Sequence, residues 1–484
     1  MAEEEKVKGI RTVKAGDIKP PWEVRELPEP PPLTLKGLLQ WAGPAIILGA
    51  LSVGGFEAYH AGFMGAKMFV GIFWVYWVSS ICQLFLNREI ARYTIATGET
   101  ALQGFTRMGP PKVWAWVSAF LCWIQVAWPA WITGAAAGAA AVLGFGTWQA
   151  WSVVALLAVF ACFAASRYVY NTLEKIMYAA FIVANIGLAF FTVTMSTPAA
   201  AGETAKGWLS VLTFPAGITL GMIGPFLLQP AGGFWNFWHT YWVREKGMGM
   251  GKYFGRVTGL VAKPEEIRRT GFIFNADDPK ELAKFKKWLR LNDITLLVFF
   301  VILGGVFFTY FASLAGYSAK VIYKMDVPSG WKIAIVLAEI FKSAYGQLGF
   351  MFFCIILIFA LFDSQFSIYD GIARMWADAF FLEHPDSFGK RTYRFWYFIV
   401  LGALIIYGFL GLFLGTPYLI WLISNWLGTA TQAYVTFMML ILNRKYLPEK
   451  IKPRGASLVV NIIWASILII YFFCWTFIDL PFKR

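Results

Sequence analysis

The sequence predicts an all-α membrane protein built from two inverted repeats of five helices, the first helix of each repeat broken, with an eleventh transmembrane helix added. Three observations predict it: long uncharged apolar runs, glycine-interrupted first and sixth runs, and a lopsided distribution of Lys and Arg. Of 484 residues, 58% are apolar and only 14% charged, with a mean hydropathy of +0.59. A soluble domain runs near about 45–50% apolar and about 25% charged, and one soluble core could not absorb the surplus. The bilayer is the solvent.

Each crossing needs about 20 predominantly apolar residues. Eleven runs qualify, at about 37–63, 68–96, 113–143, 148–165, 173–196, 216–243, 294–316, 346–372, 395–414, 418–442 and 457–478. Residues 1–36 form a polar, Pro-rich tail with no apolar signal core. Residues 37–445 make a ten-helix core with an insertion at 244–293, and 446–484 supply the extra helix. A cytoplasmic N-terminus puts 34 of the 42 Lys and Arg on inner segments and 8 on outer ones, as the positive-inside rule requires. The net charge of +14 therefore faces anionic membrane lipid, not nucleic acid. A multi-pass protein of a prokaryotic cell membrane is expected.

Within the insertion, Asp278 can cap a helix, Pro279 suits its first position and Glu281 stands three residues after the cap. Leu282, Phe285 and Leu289 share one face, so a short helix on the inner surface is expected, either lipid-associated or a solvated linker.

Several function classes are excluded. Three histidines are too few for a multi-haem oxidase, and no GxxxxGK[ST], nor any GxGxxG after a strand, is present. The five cysteines are scattered through apolar runs without CxxC pairing. No enzyme and no cofactor are expected.

Run one contains GALSVGGFEAYHAG and run six GPFLLQPAGGFWNFWHTYW. Glycine and proline interrupt the helical ladder, and unpaired backbone at membrane depth is tolerated only against protein or a wet cavity. The interruption recurs as an echo, Val53-Gly54-Gly55-Phe56-Glu57 against Ala231-Gly232-Gly233-Phe234-Trp235. Run six points opposite to run one, which is the pattern of a secondary transporter with a midplane site. The plainer reading, glycines that let helices pack closely as Gly134 and Gly138 do, accounts less well for matched positions in both halves.

Candidate metal ligands gather at these breaks: Ser52, Glu57 and, one turn on, His60 in run one; Gln229, Asn236 and His239 in run six. Carboxylate, imidazole and amide groups beside exposed carbonyls suit a cation. The plain alternatives are a packed His239 and a Glu57 held by a remote arginine. A possible ion pathway follows in run eight, where Asp363 lies deep with Gln365 nearby and Asp370 can pair with Arg374 at i,i+4. In run ten, Asn425, Thr429 and Gln432 sit at helical spacing and read as helix-to-helix contacts or pathway groups.

Gly43-Pro44, Ser52 to Glu57, Ala91-Arg92 to Thr97-Gly98, Gly224 to Gln229-Pro230 and Ser364-Gln365 to Gly371 together resemble the Nramp divalent metal transporter family. The likeness is strongest to divergent members with Ser-x-Gly-x-x-Glu in span one and Tyr-x-Val-Arg-x-Lys-Gly after span six, here Ser52 to Glu57 and Tyr241 to Gly247. It implies a LeuT-type fold, inward divalent cation uptake and often proton coupling. The family's Asp-Pro-Gly-Asn is replaced by Ser52-Val53-Gly54-Gly55 and its methionine before proline by Gln229, so those ligands do not carry over. An amino-acid or other organic-solute permease on the same fold, or a non-transporting receptor, is the competing expectation.

Overall fold

In hydrocarbon every backbone N–H and C=O needs a partner inside the protein, so the apolar runs become helices. The computed structural model describes residues 22–53, 56–110, 113–327, 336–384, 386–413 and 417–479. Run one opens with α1 (Leu35–Trp41), capped by the Thr34 hydroxyl, which accepts from Gly37 N, and bends by 67° into α2 (Gly43–Val53). α3 (Phe56–Ala66) follows; the expected break at Gly54-Gly55 lies outside the described residues. Run two is α4 (Trp74–Thr97), after which comes a short α5 (Ala101–Phe105). Pro129 parts run three into α6 (Trp114–Val126) and α7 (Ala130–Leu143). α8 (Trp148–Ala164) and α9 (Val169–Met195) complete the first half.

A helix that no apolar run foretold, α10 (Pro198–Leu209), leads into the second half. Run six divides into α11 (Leu220–Leu228), α12 (Phe234–Phe237) and α13 (His239–Lys246). The expected surface helix begins where anticipated, at α14 (Pro279–Thr295), with the Asp278 side chain accepting from Lys280 N. It is not a separate short helix. No glycine or proline lies between Thr295 and Gly304, and it continues through a π-helical stretch, Leu296–Phe307, into α15 (Phe308–Val321) as one rod.

Run eight is α16 (Val336–Glu383), bent at Gly346, whose φ of 64° and ψ of −152° suit glycine alone. α17 (Tyr393–Gly411), α18 (Pro417–Tyr446) and α19 (Ala456–Ile478) close the chain. Among the described residues, seven helical segments are long and apolar enough to cross a membrane, and the bent α1–α2 pair makes an eighth. The other three expected runs correspond to the shorter α8, the broken α11–α13 and α18. The extra helix is not peripheral: α19 packs on α18, α4 and α11, and the Trp475 ring lies where a side chain on Gly224 would be, 2.2 Å from an added Cβ.

The described part of the tail is strapped to the insertion. β1 (Glu23–Val24) pairs in parallel with β2 (Phe272–Ile273). Leu27 N donates to Glu281 at 2.6 Å, so this carboxylate does not return to its own helix cap, and Trp288 Nε1 donates to Pro28 O at 2.8 Å. Lys284 meets Glu26 at 2.6 Å and both Glu29 and Glu281 at 3.0 Å. Desolvation works against the ammonium, but these three carboxylates outweigh it and hold its pKa above the ordinary lysine range. Replacing Lys284 by Gln should weaken strap docking by about 1–2 kcal/mol at low salt, since Glu26 and Glu29 are solvent-screened. Limited proteolysis near residue 30 should speed up several-fold; an unchanged cleavage rate would assign the docking to the strand pair and Trp288 instead.

Candidate functional site

The first and sixth runs lie antiparallel, with α3 against α11 and α2 against α13. All of α2 is buried. Between Leu228 and Phe234 the chain leaves the helix, and Gly233 turns with φ 61° and ψ −122°. An added Cβ there would meet Thr431 Oγ1 at 2.4 Å and Gln125 Oε1 at 2.5 Å, so only glycine fits.

The backbone groups released by this break are taken up by amide side chains from three surrounding helices. From α4, Gln83 Nε2 donates to Gln229 O at 2.8 Å, while its Oε1 accepts from Ala231 N at 3.2 Å and Asn236 Nδ2 at 3.0 Å. From α6, Gln125 Oε1 accepts from Phe234 N at 3.2 Å, and its Nε2 donates to Gly232 O at the same distance. From α18, Gln432 Oε1 accepts from Gly233 N at 3.4 Å, and Thr431 donates to Gln125 at 2.7 Å. Asn236 Nδ2 donates to Ala231 O at 3.0 Å, and its Oδ1 accepts from Asn87 at 2.9 Å. Ser79 Oγ donates to Leu227 O at 2.6 Å.

Near the end of α2, Ser52 Oγ donates to Gly304 O at 3.0 Å and lies 3.2 Å from the Tyr76 hydroxyl. Glu57 falls in the first turn of α3; its side chain lies outside the described residues. His60 Nε2 donates to Met222 O at 2.8 Å, and its ring contacts Phe226 and Trp421. His239 Nε2 meets Asn292 Oδ1 at 2.9 Å, with the backbone of Pro44 against the ring. The structure therefore does not bring the two histidines together: one belongs to the α3–α11 contact, the other to α13 where it meets α2 and α14. The antiparallel packing itself separates them, because α3 meets α11 whereas α13 meets α2. Asn236 is likewise engaged with Gln83, Asn87 and Ala231, and Gln229 is buried beside Gln83. Among the described residues, no group of three or more His, Cys, Asp or Glu is placed to hold a metal ion.

The run-eight residues divide into two kinds. Asp370 and Arg374 form the expected pair, Arg374 Nε reaching Asp370 at 2.9 Å, and Arg374 Nη1 also meets Glu245 at 2.6 Å, all three with no side-chain exposure. Tyr397 donates to Asp370 at 2.8 Å, so this network joins α13, α16 and α17. Asp363 differs. It is fully buried, its Oδ1 accepts from Ser364 at 3.3 Å, and its Oδ2 has no hydrogen-bond partner among the described residues. Gln365 Oε1 accepts from Ile132 N at 3.3 Å, Asn425 Nδ2 donates to Trp421 O at 2.8 Å and Thr429 to Trp426 O at 2.7 Å.

The sequence reading missed Gln83, Asn87 and Gln125. Their signal was available: Gln83 and Asn87 stand at i,i+4 inside an apolar run, and Gln125 in another, and polar groups within spans are expensive enough to mark function or structure.

No protein-family model matches the chain, and no curated protein matches it. Solved structures do match. A mutant of the Eremococcus coleocola manganese transporter superposes with a TM-score of 0.66 at 14% identity, over 97% of this chain and 93% of that one. A second mutant of it gives 0.65 at 15% identity with the same coverage. A nucleobase-cation-symport-1 family transporter, closed with bromovinylhydantoin bound, gives 0.54 at 11% identity over 90% of this chain and 92% of that one. The fold is thus the LeuT-type fold of these transporters.

Replacing Gln83 by Leu would strand Gln229 O, Ala231 N and Asn236 Nδ2 in the core. Each unsatisfied buried group costs about 1–3 kcal/mol, and partial relaxation should leave a net loss of about 2–4 kcal/mol. Thermal unfolding in detergent should show it as a clear drop in Tm; an unchanged Tm would mean that water replaces the amide.

Proposed function

We propose that the chain is a secondary transporter that moves a divalent cation across the membrane by alternating access around the two breaks. The observation that carries this reading is the antiparallel packing of α2 and α3 on the broken α11–α13, with Glu57 in the first turn of α3. Because a glycine pair weakens the helical ladder, we infer that Gly54-Gly55 release the last carbonyls of α2 from helical N–H partners. Together with the Glu57 carboxylate they offer a hard oxygen set, which suits magnesium or manganese better than cadmium. Ser52 borders this set. At the second break the carbonyls of Leu227, Gln229, Ala231 and Gly232 are already hydrogen-bonded, so the amide frame shapes the site more than it ligates. His60 Nδ1, without a hydrogen-bond partner among the described residues, is the imidazole atom open to the ion. Asp363, with its unpartnered oxygen, is the group we assign to a coupling pathway that includes Gln365 and Asn425. Nothing in this reading requires a catalytic step.

Uptake into proteoliposomes tests it, with manganese and magnesium set against amino acids and nucleobases. Cation uptake is expected, and Glu57→Gln should abolish it while leaving Tm within a few degrees. Uptake kept but stability lost would make Glu57 a structural ion-pair partner. The absence of a His/Cys/Asp/Glu cluster among the described residues favours one second reading, an organic-solute permease; amino-acid or nucleobase uptake without cation uptake would establish it.

The proposed orientation places the N-terminus and the 244–293 insertion in the cytoplasm. Single cysteines at the exposed Lys206 and Lys286, compared with the parent chain, should react differently with an impermeant reagent applied to whole cells. Lys206→Cys should label and Lys286→Cys should not; the reverse pattern would invert the orientation.

A further inference from the structure

α18 ends in two cations, Arg444 and Lys445, as the negative end of a helix dipole favours. Both are exposed. Neither has a carboxylate within ion-pair distance among the described residues, whereas the neighbouring Lys450, Lys452 and Arg454 are paired with Asp277 or Glu449. Lys445 Nζ instead lies 5.3 Å from the centre of the Tyr446 ring. Directly beside these two charges, α18 and α19 leave an apolar groove of about 520 Å³, lined by Phe437, Leu440, Ile441, Leu458 and Ile462 and ending at Arg444 and Lys445. Ile441 and Ile462 are 49% and 42% exposed there.

A groove with aliphatic walls and an unpaired dication at its end matches an amphiphile whose head is negative and whose tail is hydrocarbon. We infer that the α18–α19 groove is a binding site for an anionic glycerophospholipid, its phosphate between Arg444 and Lys445 and an acyl chain along Ile441 and Ile462. Guanidinium forms bidentate bonds to phosphate oxygens. Basic pockets between transmembrane helices select such headgroups. A zwitterionic lipid gains less, because its ammonium would face the same two cations. The site lies on α18 and α19, away from the breaks, and stands whether or not the transport reading holds.

The test is native mass spectrometry of the delipidated full chain with phosphatidylglycerol, phosphatidylcholine or glycerol phosphate added. Phosphatidylglycerol should bind preferentially. Each neutralised cation should cost about fivefold in affinity, so the double variant R444Q/K445Q should lose about 25-fold, reaching the level of phosphatidylcholine. Both side chains are exposed, so the variant should fold, and its circular dichroism checks this. Ile462→Trp, which fills the groove and leaves the charges, should also weaken phosphatidylglycerol binding. Equal binding of the two lipids, or undiminished binding to R444Q/K445Q, would overturn the proposal. Glycerol phosphate binding as tightly as the lipid, with Ile462→Trp silent, would also overturn it and leave a simple anion site.

Discussion

Backbone polar groups at membrane depth cannot turn to water, and the structure is organised around satisfying those released where run six leaves the helix. Five residues, 229–233, lie between Leu228 and Phe234. Gln229 O, Ala231 N, Ala231 O, Gly232 O and Gly233 N are met by Gln83, Gln125, Gln432 and Asn236. An amide side chain is suited to this because it carries a donor and an acceptor on one planar group, and it does so without a charge that hydrocarbon would penalise. The requirement fixes the surrounding helices. α4, α6 and α18 must each present one amide to the same short stretch, and Gly233 must lack a side chain for the Gln125 amide and the Thr431 hydroxyl to pack against it.

Charge is handled differently at the end carrying the insertion. Arg374 is flanked by Asp370 and Glu245 with no exposure of any of the three side chains, and Tyr397 supplies a further donor. Burying such a network costs desolvation that the Coulomb attraction only about repays. Its effect is therefore to fix register among α13, α16 and α17 more than to add stability. Removing one partner would be far more damaging than replacing them all. Two turns along the same helix, Asp363 has no such compensation. Among the described residues only Ser364 meets this side chain, a liability for folding whose presence packing does not explain.

The sequence made the membrane class legible because uncharged run length is a direct consequence of bilayer thickness. The break in run six was legible for a related reason, since Gly232-Gly233 and Pro230 are poor choices in a span unless the backbone must leave the helix. Asp278 and Pro279 marked the start of α14 through local capping chemistry alone. What stayed hidden depended on tertiary partners. The continuation of α14 into α15 required knowing that no neighbour would break it, and the Glu281 carboxylate looked like a capping group until Leu27 N was placed beside it. His60 and His239 shared a motif position, which sequence spacing treats as proximity. In the antiparallel packing α3 meets α11 whereas α13 meets α2, so the two rings lie apart. The pairing of Asp370 with Arg374 was visible at i,i+4, but the third member, Glu245, lies 129 residues away in sequence.

The separation of the histidines bears on selectivity under the proposed function. A site with two imidazoles would favour borderline metals through ligand softness, but here at most one imidazole, His60, is beside the α3–α11 contact. The amides around the second break are neutral and their carbonyl oxygens are already accepting hydrogen bonds. Under the proposed function, the negative charge at the site would come from Glu57. One carboxylate and a few carbonyls do not make the six-oxygen shell that a magnesium or manganese ion demands. Water must complete it, so discrimination among hard cations would rest on how many waters the space between the breaks retains. Under that reading Gly233 and the groups packed against it would size the site, so the frame that satisfies the backbone would also set its selectivity.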